Sequence, residues 1–208
     1  MKRFISSIMT IATIAIIFYS FKGGESYTTL KIGEKAPKVE SIMKSTDGEL
    51  YSLKDLGREN GTLVIFSCNT CPFVLQWEDR YPKLAELAKE NNIGFGLINS
   101  NEARREGDDS MEEMIIHSEE IGYSEVIYLL DEGSLLANAF GAKTTPHVFL
   151  FNQEWKLVYE GAIDDNAKDA DAVKQSYLNN AIENLAAGEN IDPSNTKSIG
   201  CSIKRVKI

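Results

Sequence analysis

The segment Cys68-Asn69-Thr70-Cys71 holds the residues best suited to chemistry. Two cysteines separated by two residues can close a disulfide and reopen it. The thiolate is the nucleophile in that exchange, and the short spacer lets the second sulfur displace the first from a mixed disulfide. The motif follows an apolar run, Leu63-Val64-Ile65-Phe66, and Pro72 comes next, where the first turn of a helix tolerates it. A strand-to-helix junction offers unpaired N–H groups and a partial positive charge, both of which favour a thiolate. On this reading Cys68, nearer the helix end and more exposed, attacks, and Cys71, one turn in, resolves. The bland alternative is a static disulfide or two inert core thiols, and inert cysteines have no reason to sit at such a junction.

Three other groups bear on this chemistry. Thr145-Pro146 stands just before an apolar run and is a candidate substrate-binding pair; the local sequence allows either isomer of its peptide bond. Cys201 is a candidate third redox cysteine in an otherwise unpatterned end. It is either a free thiol in a loose terminus or, if Ile199, Ile203 and Val206 dock that end on the domain, a sulfur that resolves an oxidised Cys68 or forms an alternative disulfide. His147 and His117 read as a near-surface strand histidine and a solvated helix residue. A zinc site needs about four ligands, which this set supplies poorly, and no metal or other cofactor is expected. Two thiolates with His147 for Cu(I), as in a copper chaperone, is the weaker alternative.

The elements that must hold the dithiol alternate. Short strands are expected at 32–39 and 50–53 around the turn Thr46-Asp47-Gly48, then strands at 63–66, 94–98, 126–130, 147–151 and 156–159. Trp77, Tyr81, Leu84 and Leu87 mark one helix, 111–121 and 134–140 two more, and Val173, Tyr177, Ala181 and Leu185 a last one stopped at Gly188. That order implies an α/β fold, a central mixed β-sheet with helices on both faces. The acidic stretch from Glu102 to Glu120 reads as a solvated loop and helix face.

Composition bounds the function classes. The chain has 208 residues, 43% hydrophobic and 25% charged, which is one ordinary globular domain. A net charge of −9 argues against a phosphate-gripping surface, so no nucleic-acid partner is expected. Lys2 and Arg3 precede an apolar stretch over 4–21, the pattern of an export signal, either cleaved or kept as a membrane anchor. The organisation is then signal peptide or anchor over 1–26, a redox domain over 27–188, and a tail over 189–208, with the domain extracytoplasmic: in the periplasm, or anchored and facing it.

The strand, C-x-x-C, helix, Thr-Pro and hairpin together resemble the thioredoxin fold. Ile32-Gly33-Glu34-Lys35-Ala36-Pro37 looks like the opening of the alkyl hydroperoxide reductase and thiol-specific antioxidant branch. Phe66-Ser67-Cys68-Asn69-Thr70-Cys71-Pro72-Phe73-Val74, Ile98-Asn99-Ser100-Asn101-Glu102, Tyr128-Leu129-Leu130-Asp131 and Ile199-Gly200-Cys201-Ser202-Ile203-Lys204 resemble the peroxiredoxin-like proteins of that superfamily. The resemblance implies a thioredoxin-like fold and a thiol-disulfide oxidoreductase with Cys68 and Cys71 as catalytic residues. It also implies a cis Thr145–Pro146 bond facing the dithiol, protein disulfides or thiols as substrates, and a redox-recycling partner. Thr70 stands where relatives often carry histidine, Ser67 where thioredoxins carry Trp, and Thr62-Leu63-Val64-Ile65-Phe66 holds no buried acid, so proton transfer to the resolving cysteine needs another group. A thiol-dependent peroxidase, a peroxiredoxin-like antioxidant, is the main alternative. Counting back from either cysteine finds no hydroxyl at the spacing that would hold a peroxide.

Overall fold

The structure is a computed structural model describing residues 27–123 and 126–206. The expected signal segment therefore lies outside the described residues. Among those residues, no helix is long and apolar enough to cross a membrane. The strands are β1 (Met43–Ser45), β2 (Leu50–Tyr51), β3 (Gly61–Ser67), β4 (Ile93–Asn99), β5 (Ile127–Leu130), β6 (Thr144–Thr145), β7 (His147–Phe151), β8 (Leu157–Gly161) and β9 (Cys201–Ser202). The helices are α1 (Leu53–Leu56), α2 (Val74–Trp77), α3 (Tyr81–Glu90), α4 (Met111–Ile121), α5 (Leu135–Phe140) and α6 (Tyr177–Ala187).

Seven strands form one mixed sheet in the order β2-β1-β5-β4-β3-β7-β8, and β6 with β9 make a separate two-stranded sheet. β3 lies inside the sheet, parallel to β4 and antiparallel to β7. Every residue of β3 is buried, because the sheet is covered on both faces and alternate side chains enter different cores. Leu63 and Ile65 pack with Trp77, Tyr81, Leu84 and Ile182 on one face. Val64 and Phe66 pack with Phe140, Phe149 and Phe151 on the other, where the rings meet edge-on at centroid distances of 5.3–5.6 Å.

Two sequence expectations fail locally, and one left open is decided. Residues 32–39 form no strand and contribute one isolated bridge, Lys35 to Lys156. Pro37 lacks an N–H to donate, and Gly33 and Lys38 turn the chain at φ +88 and +56. The helix after the cysteines does not run continuously. α2 ends at Trp77, a 3-10 turn spans Glu78–Arg80, and Pro82 opens α3, a position where its missing N–H costs nothing. Trp77, Tyr81 and Leu84 are buried all the same. The unpatterned end is not loose, since β9 pairs with β6, Ile203 is buried and Thr196 bonds to β8.

Candidate active site

β3 ends at Ser67, which delivers Cys68 to the rim of the sheet beside the end of β4. Residues 68–73 are a loop, and α2 begins at Val74, so Cys71 precedes the helix instead of lying one turn inside it. The loop is clamped by its second residue. The Asn69 backbone N–H donates to Asp109 Oδ1 (3.0 Å), its amide donates to the Asp108 carbonyl (2.8 Å), and its Oδ1 accepts from the Tyr128 hydroxyl (2.8 Å). Asp109 is fully buried and also accepts from Asn99 Nδ2 (2.8 Å) and Asn101 Nδ2 (2.9 Å). A carboxylate expected on a solvated face is thus the hub of the motif loop. Nothing local in the acidic stretch marks it, because its donors are Asn69 of the motif loop and Asn99 and Asn101 at the end of β4.

Thr145–Pro146 is a cis bond, and both residues are buried. Thr145 touches both sulfurs: its Oγ1 lies 3.3 Å from Cys68 Sγ, and the Cys71 thiol donates to its carbonyl at 3.2 Å. Sequence spacing found no hydroxyl for either cysteine, and the fold supplies one from a loop 77 residues away. Cys201 pairs with Thr145 across the β6–β9 ladder and brings its thiol and backbone N–H to Cys71. Cys68, Cys71 and Cys201 are all free thiols.

The exposure expected of Cys68 is not found. It is 2% exposed and Cys71 6%. The thiol of Cys68 donates to the Cys71 sulfur, and this bond, together with burial, pushes the Cys68 thiol up, with the charge of Asp109 adding to the shift. Cys71 is drawn down to about 4, chiefly by the same bond, and further by the Cys201 thiol and the backbone N–H groups of Val74 and Cys201, against burial. On ionisation the charge of the pair is drawn toward Cys71, which then no longer donates to the Thr145 carbonyl. The thiolate absorbance of the reduced protein is expected to stay nearly constant from about pH 8 to about pH 5, where an ordinary cysteine is almost fully protonated, and to vanish in Cys71→Ser. A signal that falls away near the ordinary thiol range would contradict the donor arrangement.

The histidines differ from expectation as well. His147 is 1% exposed, with Nε2 on Glu160 and Nδ1 accepting from the Lys143 N–H at 3.2 Å. Both ring nitrogens are occupied, so it offers no copper ligand. His117 is half-buried, with Nε2 on Glu78 at 2.9 Å. Among the described residues no group of three or more His, Cys, Asp or Glu is arranged to hold a metal ion.

The remaining signature blocks meet around the same loop. Asn101 Oδ1 accepts from the Lys204 N–H (2.8 Å), Ser100 donates to Asp131 (2.7 Å), and Asp131 accepts the Leu136 and Ala137 N–H groups at the start of α5. Gly200 fits against Thr145, where a Cβ would lie 2.3 Å from the Thr145 carbonyl oxygen.

A central mixed sheet with the dithiol at the end of an interior strand and a cis-proline loop against it defines the thioredoxin-like class of redox protein. The Redoxin family profile matches residues 31–176, and the chain belongs to that family. It is an oxidoreductase with a thioredoxin-type redox function. Two solved structures are similar over nearly their whole length. An uncharacterized conserved protein from Geobacillus kaustophilus is 31% identical with a TM-score of 0.78, covering 86% of this chain and 94% of that one. A hypothetical protein from Sinorhizobium meliloti 1021 is 28% identical with a TM-score of 0.77, covering 86% and 97%. The thioredoxin domain of a thiol-disulfide oxidoreductase from Bacteroides vulgatus shares the fold at 20% identity and TM-score 0.57, covering 76% and 99%. No curated protein matches the chain significantly.

Proposed function

We propose that the chain is an extracytoplasmic thiol-disulfide oxidoreductase that works through Cys68 and Cys71 on protein substrates and is returned to its starting state by a separate thiol or disulfide partner. The observation that carries this reading is the contact of both sulfurs with Thr145, at 3.3 and 3.2 Å. A substrate disulfide aligned along the Thr145–Pro146 loop lies directly over the pair. Proton transfer along the Cys68–Cys71 hydrogen bond moves the charge to Cys68, where the Thr145 hydroxyl supports it. Cys68 then attacks one substrate sulfur, and the other leaves as a thiolate that takes the proton now on Cys71, so that Cys71 is ionised again. Cys71 resolves the mixed disulfide. In thioredoxins a buried acid next to the motif serves that second step, and β3 has none. The three donors that remain on Cys71 after Cys68 is consumed favour its ionised form without one. The basic-then-apolar start of the chain supports export, with the segment cleaved or kept as an anchor; mass analysis of the chain isolated from its host distinguishes the two.

The test is reduction of insulin by the purified chain with dithiothreitol as electron source, together with equilibration against glutathione. Turnover well above dithiothreitol alone is expected. Donors that stabilise the ionised reduced pair make it more oxidising, so the potential is expected above about −270 mV, the thioredoxin value. No insulin turnover, or a potential below that figure, would refute the reading. The Thr145 hydroxyl beside Cys68 favours peroxidase action as the second reading. Consumption of hydrogen peroxide faster than insulin disulfide would favour it over the first.

A further inference from the structure

Of the three sulfurs, the two in the motif are buried, and Cys201 alone is half-buried. The segment carrying it is held at many points. Thr144 and Thr145 pair with Ser202 and Cys201, the Ile203 N–H donates to the Lys143 carbonyl (3.1 Å), and the Ala103 N–H donates to the Lys204 carbonyl (2.7 Å). Arg205 closes the end with hydrogen bonds to Asn138 and the Ala142 carbonyl, each 2.6 Å. Close packing of Gly200 on Thr145 fixes the approach of the two strands. Cys201 thus stands opposite the residue that touches both motif sulfurs, and on the side of Cys71, not Cys68.

We propose that Cys201 is a shuttle cysteine that takes the disulfide from the buried Cys68–Cys71 pair and presents it at the surface to a thiol reductant. This rests on the dithiol reading above. The Cys201 thiolate attacks Cys71 Sγ of the Cys68–Cys71 bridge, the Cys71–Cys201 bond forms, and Cys68 leaves as a thiolate that takes up the proton Cys201 released. No electrons are gained or lost in that step. A dithiol reductant then attacks Cys201 Sγ, freeing Cys71. The second thiol of the reductant displaces Cys201, so that the reductant departs as its own disulfide and all three protein cysteines are reduced. The Cys201 thiol and backbone N–H at Cys71 and the Phe73 N–H at the Cys201 sulfur put the exchanging atoms in one hydrogen-bonded group.

The full chain carrying Cys68→Ser is the direct test. Mild oxidation with diamide is expected to give a Cys71–Cys201 disulfide as the main product in non-reducing peptide maps. A disulfide needs Cα atoms within about 7 Å, so a pair held apart would not close. In Cys201→Ser the Cys68–Cys71 bridge is expected still to form, but its re-reduction by a protein dithiol such as thioredoxin should slow by about ten-fold or more, since exchange rates follow access to the attacked sulfur. Gly200→Ala, which forces β9 off β6 with all three thiols present, should show the same slowing. If Cys68→Ser yields no Cys71–Cys201 bridge, or Cys201→Ser is re-reduced at the parental rate, the shuttle is wrong. Failure of the parent chain to reduce insulin would instead remove the dithiol reading beneath it.

Discussion

Cys68→Ser is expected to fold as the parent does and to reduce insulin no faster than dithiothreitol alone, a loss of about a hundred-fold or more, because a serine hydroxyl does not ionise in the range where a thiolate forms and cannot make the mixed disulfide. Cys71→Ser is expected to fail differently. Cys68 keeps the Thr145 hydroxyl at 3.3 Å and can still attack, but the partner that resolves the product is gone. A covalent complex with substrate should therefore accumulate, visible as a band lost on reduction and mapped to Cys68. Cys201 sits on the far side of Cys71 and does not replace it. The resting charge on Cys71 makes the opposite assignment the one to exclude. Trapping of substrate on Cys71 in the Cys68→Ser protein, with none in Cys71→Ser, would reverse the two roles.

The parts of this fold that the sequence makes legible are those whose signal is local. β3, β4 and β7 are continuous apolar runs because both faces of the sheet are covered, and α4 and α6 end at Gly122 and Gly188, each left-handed. The C-x-x-C and the Thr-Pro are visible as residue types at fixed places. What the sequence hides depends on contacts between distant segments. β6 and β9 are two residues each, too short for periodicity, so the placement of Cys201 beside Cys71 could only be guessed from three apolar neighbours. The break at Pro82 was readable from proline chemistry, yet the helical stripe from Trp77 to Leu84 masks it, since those positions stay buried on either side of the break. Asp109 is the clearest case. Eight acids lie between Glu102 and Glu120, and no local feature separates the one that is buried from the seven that are not.

That difference makes Asp109→Ala the substitution outside the cysteines with the largest expected effect. Removing the carboxylate leaves the Asn69 N–H and the Asn101 amide without their acceptor in a buried setting, while the Asn99 amide keeps only the Tyr128 hydroxyl at 3.1 Å. An unpaired buried donor costs about 1–3 kcal/mol, so even with water entering the space left behind the loss should reach about 3 kcal/mol. For a domain of this size that corresponds to a melting temperature lower by roughly 6–12 °C. Asp109→Asn retains one oxygen and the side-chain shape but turns an N–H against one of the donors, and should cost about half as much. The two variants also separate stability from chemistry. Asp109 places a negative charge near Cys68 that disfavours ionisation there, so the asparagine protein should shift its shared thiolate toward Cys68. Faster attack on a small disulfide at low pH, in a protein that melts earlier than the parent, is the combined signature. A melting temperature unchanged in Asp109→Ala would mean that the loop between the cysteines is held by Tyr128 and the Asp108 carbonyl alone.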